Sequence, residues 1–173
     1  SVSIVILHLL RRVEYMITFF IGLTTIKSSK DIAFYAKCIF IVIAVIFVFG
    51  LGQKYFNWPV ITTQNQEYSR GVALRYMPGG HLASTFAGHY DLAAYIILTS
   101  PFIIAITFSD FFKNIRTKIF LFLFAAASFW LLINTVSRIS IASYILSVSI
   151  ALFIIKKKRY IVPFVIIAGG IAG

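Results

Sequence analysis

The apolar residues of this chain fall into long blocks, at 32–51, 92–112, 119–136 and 139–155, each about 17 to 20 residues long. A helix rising 1.5 Å per residue covers roughly the 30 Å of a bilayer's hydrocarbon core in one such block. Hydrophobic residues make up 60% of the chain and charged ones 12%, whereas a soluble domain carries about 45–50% and about 25%. Mean hydropathy is +0.94. These values exclude a soluble globular protein, a disordered tail and a disulfide scaffold. A further block at 160–173 and a less regular one within 4–26 extend the series. The expected fold class is therefore all-α: a polytopic transmembrane helical bundle of about six spans, forming a single transmembrane domain over 1–173. The chain begins with Ser1 and its last block stops in a Gly and Ala stretch. It is expected to be a fragment, truncated at both ends. It shows no basic n-region, short apolar stretch and cleavage site in sequence. The single Cys38 excludes an intrachain disulfide and any cysteine-based metal cluster.

Charge placement sets the expected orientation. Lys27, Lys30 and Lys37 flank one turn, Lys113, Arg116 and Lys118 fill a second, and Lys156, Lys157, Lys158 and Arg159 form a third. Lysine and arginine are retained on the cytoplasmic side during insertion, so these turns mark the inside. The net +11 reads mainly as that signature, with anionic membrane lipids as partner. Short basic turns without a soluble basic domain argue against nucleic acid.

The opposite face is expected to carry one large extracytoplasmic loop at 52–90 and one minimal turn around Ser137 and Arg138. A loop of that length exceeds what a connection needs and is usually functional or disordered. Its Tyr55, Phe56, Trp58, Tyr68, Tyr76, Phe86 and Tyr90 suit a membrane surface, and Tyr55 and Trp58 also suit plain interface anchors. Arg138 stands where arginine is disfavoured. It is either a boundary residue snorkelling to the headgroups or a fixed anion site offering planar paired donors to phosphate. Ser140, Ser143, Ser147 and Ala151 follow at helical spacing and read as a packing seam. Between positions 70 and 91, Arg70, Arg75, His81, Ser84, Thr85, Phe86, His89, Tyr90 and Asp91 gather toward a helix entrance. Asp91 could simply cap that helix and His89 could bond the loop backbone. Together they also suit an anionic, hydroxyl-rich ligand. Pro101, inside the next helix, should kink it. Arg11, Arg12 and Glu14 interrupt the first block and leave its placement open. No nucleotide-binding glycine loop, HExxH motif or paired metal-ligating carboxylates occur, so no cofactor or metal is expected.

Phe49-Gly50-Leu51-Gly52-Gln53, then an arginine-bearing loop, then Ser84-Thr85-Phe86-Ala87-Gly88-His89-Tyr90-Asp91-Leu92-Ala93-Ala94-Tyr95 and Ser100-Pro101 resemble the O-antigen ligase and O-antigen polymerase superfamily of bacterial envelope proteins. Ser137-Arg138 is similar to a Ser-Arg motif of that family, and Leu10-Arg11-Arg12-Val13-Glu14-Tyr15 resembles the start of an earlier family helix. The order of these motifs holds over most of residues 5–155. Asp91 departs from the pattern, which often has Asn there. The family carries a further outer loop with a histidine implicated in the reaction, which would be expected beyond Gly173.

The resemblance implies a metal-independent glycosyltransferase of the cell (inner) membrane, acting on its extracytoplasmic face in polysaccharide or lipopolysaccharide biosynthesis. The donor would be a polyprenyl-pyrophosphate-linked glycan and the acceptor a glycan or lipid-linked sugar. Arg138 and Arg75 would meet the pyrophosphate, with Arg70 able to replace either. His89 and Asp91 would orient hydroxyls or supply a base, and Ser137, Tyr90, Thr85 and His81 would line the substrate site. The rival readings are a transporter or lipid-linked glycan flippase, which should show internal repeats and polar residues at midspan, and a noncatalytic membrane subunit.

Overall fold

The computed structural model describes residues 10, 13, 17, 20–22, 24–60, 70–71, 74–108 and 114–172. Arg11, Arg12, Glu14, Tyr68 and Lys113, all invoked above, lie outside the described residues. Two compact units divide the chain, Ser1–Ile39 and Phe40–Gly173, and helix α1 (Ser29–Tyr55) runs through the boundary.

In the first unit the start of α1 is capped from both directions. The Asp31 carboxylate accepts from the backbone N–H groups of Lys27 and Ser28, at 3.0 and 2.8 Å, and Ser28 Oγ accepts from Asp31 N at 3.3 Å. This reciprocal pairing satisfies amides that the first turn leaves without helical partners.

The second unit contains the rest of α1, a minimal antiparallel pair of β1 (Pro59–Val60) and β2 (Leu74–Arg75), then α2 (His89–Phe108), α3 (Ile115–Asn134), α4 (Arg138–Ile154), a 3-10 turn (Lys158–Tyr160) and α5 (Ile161–Ala172). α2 packs against both α3 and α4, and α5 packs against α4. The core is almost wholly aliphatic: Ile43, Ile46, Leu92, Ala93, Ile96, Ile103, Leu131, Leu132, Val148 and Leu152 are buried, with Tyr144 the largest member. Along α4 the buried positions are Ser140, Tyr144, Val148 and Leu152, one every fourth residue as a helix face requires. The expected seam is thereby corrected. Ser143, Ser147 and Ala151 flank that face half-buried, and only Ser140 of the small residues lies on it. Between α1 and α3, edge-on aromatic pairs fill the gap, Phe40 with Phe124 at 5.1 Å and Phe47 with Trp130 at 5.4 Å.

Large apolar side chains point outward as well as inward. Leu98 is 78% exposed and Ile139 82%, and Ile41, Val45, Phe122 and Leu123 are also exposed. A helix apolar on every side suits hydrocarbon surroundings. Three helical segments, Lys30–Tyr55, His89–Phe108 and Ile115–Asn134, are long and apolar enough to cross a membrane. Among the described residues these three segments stand where about six spans were expected, and most of the first expected span, within 4–26, lies outside the described residues. α4 has 17 residues, a length of about 26 Å, and the 12 residues of α5 reach only about 18 Å. α2 passes through Pro101 as one helix.

Candidate functional site

The connections α1–α2 and α3–α4 meet at one end of the second unit, and most of their contacts pair a side chain with main chain. α1 ends in a tight reversal: Gly52 O accepts from Phe56 N at 2.9 Å and from Trp58 N at 3.1 Å, and Asn57 takes a left-handed φ of 56°, which asparagine tolerates better than most residues. Gly52 is required there. A Cβ on it would lie 2.2 Å from the Trp58 indole.

Next to it, Gln53 is 1% exposed and uses its whole amide. Oε1 accepts from Ser84 N at 2.8 Å, while Nε2 donates to Ser84 O at 2.9 Å and to Pro59 O at 3.0 Å. Ser84 is itself fully buried, holds φ 52°, and donates its hydroxyl to Ile46 O at 2.6 Å. The loop is thus clamped onto α1 by a fully satisfied buried polar group, the condition under which such groups specify one arrangement. Leu82, also fully buried, anchors the loop beside this clamp and donates its N–H to Asn134 O at 2.9 Å.

The residues singled out in the sequence take distinct places. His81 and His89 stack with ring centroids 4.2 Å apart and 14° between planes, and Tyr90 lies against His89 at 4.0 Å. His81 Nδ1 is 3.0 Å from Thr135 O. A carbonyl only accepts, so Nδ1 carries the proton and Nε2 is the acceptor in the neutral ring. This contact ties the loop to the turn that leads, through Val136 and Ser137, to Arg138. Val136 adopts φ 56°, a strained state for a β-branched residue. Ser137 precedes α4, its hydroxyl 2.7 Å from that of Ser140. Arg138 opens α4 and is exposed. Asp91 lies in the first turn of α2, exposed, and the backbone cap there is Gly88, whose carbonyl accepts from Leu92 N at 3.2 Å. Thr85 is exposed beside Ser84, and Arg70 sits in an exposed turn before Gly71. Arg75 Nη1 donates to Asn57 O, so one arm of that guanidinium braces the loop.

Sequence reasoning passed over Lys54. Its Nζ donates to Asn134 Oδ1 at 2.5 Å and lies 5.3 Å above the Trp130 ring and 5.6 Å above that of Tyr55. It lines a cavity of about 370 Å³ with Tyr55, Tyr76, Gly80, Asn134 and Val136. The signal was present: Lys54 is a lysine at the end that charge placement otherwise keeps poor in lysine. The site therefore offers Lys54 in a cavity wall and Arg138 on a helix start beside a histidine pair. Such a set can hold an anion and accept a proton.

Comparison of the chain with protein-family models, with curated proteins and with solved structures finds no match.

Proposed function

We propose that this protein is a membrane glycosyltransferase of the O-antigen ligase and polymerase type, transferring or polymerising a polyprenyl-pyrophosphate-linked glycan at the loop end of its bundle, on the extracytoplasmic face of the cell membrane. One observation carries the reading. The Gly52-Gln53 and Ser84-Thr85 segments, which underlie the resemblance, are joined to each other by the buried Gln53 clamp, and His81 bonds the turn that presents Ser137 and Arg138.

In the reaction the acceptor hydroxyl attacks the anomeric carbon, the bond to the pyrophosphate oxygen breaks, and its electron pair leaves on the pyrophosphate. Cations already in place stabilise that growing charge at little cost in reorganisation. Arg138 supplies paired donors and Lys54 a point charge in the adjoining cavity. Arg70 and the outward arm of Arg75 extend the positive field toward the donor. His81 Nε2 accepts the hydroxyl proton, and His89, Tyr90 and Asp91 orient the sugar hydroxyls beside it.

Full-length protein purified in detergent is expected to transfer glycan from a polyprenyl pyrophosphate donor. Arg138→Ala should slow turnover roughly tenfold to a hundredfold, below the roughly hundredfold to thousandfold loss of a buried charge-stabilising donor because Arg138 is exposed. Arg116→Ala, at the start of α3, should leave it unchanged. Absence of transfer, or full turnover by Arg138→Ala, overturns the reading.

A further inference from the structure

The other end of the second unit holds a different pair of features. α4 closes in a left-handed cap: Lys156 has φ 60°, its N–H donates to Phe153 O at 3.1 Å, and Lys157 N donates to Leu152 O at 2.9 Å. That cap turns the chain sharply into the 3-10 turn, where Arg159 Nη2 donates to the Tyr160 hydroxyl at 2.6 Å. Lys157 and Arg159 then face Lys118 across a polar cavity of about 520 Å³, lined also by Thr107, Phe108, Phe122 and Tyr160.

A second cavity, about 360 Å³ and apolar, runs among α2, α3, α4 and α5, with Ala125, Phe129, Phe164 and Ala168 in its walls. Phe108, Phe122 and Tyr160 line both. The polar chamber thus opens on the same three aromatic residues as the apolar groove. Among the described residues lining the pair there are three cations and no carboxylate. At the loop end the arrangement differs, since among the described residues the Lys54 cavity shares no lining with this groove or with the apolar cavity between α1 and α3.

We propose that these joined cavities form a binding site for one anionic phospholipid, its phosphate held by Lys118, Lys157 and Arg159 and an acyl chain laid in the groove beyond Tyr160. A soluble phosphate would use only the chamber, and a zwitterionic lipid would bring an ammonium group as well as a phosphate to a lining that already carries cations. Only an amphiphile with a negative head uses both. The site lies at the end opposite the proposed transfer centre and does not depend on it.

The test is lipid retention by the full-length protein in native mass spectrometry. Dioleoyl phosphatidylglycerol should remain bound at one copy through washing that removes dioleoyl phosphatidylcholine. Lys157→Gln with Arg159→Gln should weaken retention roughly thirtyfold, about a factor of five for each cation. Ala126→Trp fills the groove without touching a cation and should also release the lipid. Lys27→Gln with Lys30→Gln should leave retention unchanged, and glycerol 3-phosphate should not displace the lipid. Equal retention of the two lipids, an equal loss in the Lys27 and Lys30 variant, retention surviving Ala126→Trp, or displacement by glycerol 3-phosphate each overturns the proposal.

Discussion

Gln53→Leu is expected to undo the loop end while leaving the helices in place. Leucine nearly matches glutamine in volume, so the effect isolates hydrogen bonding from packing. Three bonds disappear together. Pro59 is exposed and its carbonyl recovers water, but Ser84 is fully buried, leaving an N–H and a C=O without partners. Each such group costs about 1–3 kcal/mol, for a total of roughly 2–6 kcal/mol. The alternative is for the loop to lift off α1 and hydrate. Either way the unfolding midpoint in detergent should fall by roughly 5–15 °C, and limited proteolysis should cut the α1–α2 loop at protease levels that spare the wild type. Because the loop carries His81 and stacks it on His89 at the start of α2, transfer should vanish along with its protection. A midpoint within about one degree of wild type and an equally resistant loop would show that the clamp does not hold the loop.

Gly52→Ala tests the same region by volume. The added Cβ would stand 2.2 Å from two atoms of the Trp58 ring, far inside van der Waals contact. Small-to-large changes at packed positions cost about 1–3 kcal/mol, and the indole has little room to yield. It packs edge-on against Phe49 at 5.3 Å, and the backbone N–H of Trp58 is tied to the carbonyl of the residue being changed. Trp58 should swing into water, shifting its emission to longer wavelength, and the loop should become protease-sensitive. Adding Trp58→Ala removes the clash, so the double variant should be less sensitive than Gly52→Ala alone. If the two changes simply add, the glycine is not there to receive the indole.

The helical segments were legible because hydrocarbon imposes a coarse rule that apolar blocks reveal. Sequence blocks at 32–51, 119–136 and 139–155 lie on α1, α3 and α4 with ends displaced by a few residues. Caps account for the displacement: Asp31 and Ser28 start α1 before its apolar run, and Asn114, whose side chain accepts from Arg116 N at 3.0 Å, starts α3. The meeting of the two connections at the loop end was also legible, since alternating spans must place Gln53, His89 and Ser137 on one side. The partners inside the site were not. Nothing in the residue types foretells that Arg75 turns to the carbonyl of Asn57, or that His81 reaches Thr135. Such contacts depend on loop conformations held by left-handed Asn57, Ser84 and Val136, which local propensity does not predict. Lys54 was a different kind of omission. It ends a long apolar run and reads as its boundary until Asn134 and Trp130 are brought beside it.

The clamp and its neighbours share a property that bears on how such a protein can change over time. Gln53, Ser84, Arg75 and His81 each attach to main-chain atoms, at Ser84 and Pro59, at Ile46, at Asn57 and at Thr135. A peptide carbonyl is the same in every residue, so at most receiving positions the side chain can be exchanged while the attachment persists. Half of each fastening therefore leaves no trace in the residue type. Two proteins could share this loop geometry and agree at only a few scattered donor positions, with a glutamine, a serine and a histidine recurring among otherwise unrelated residues.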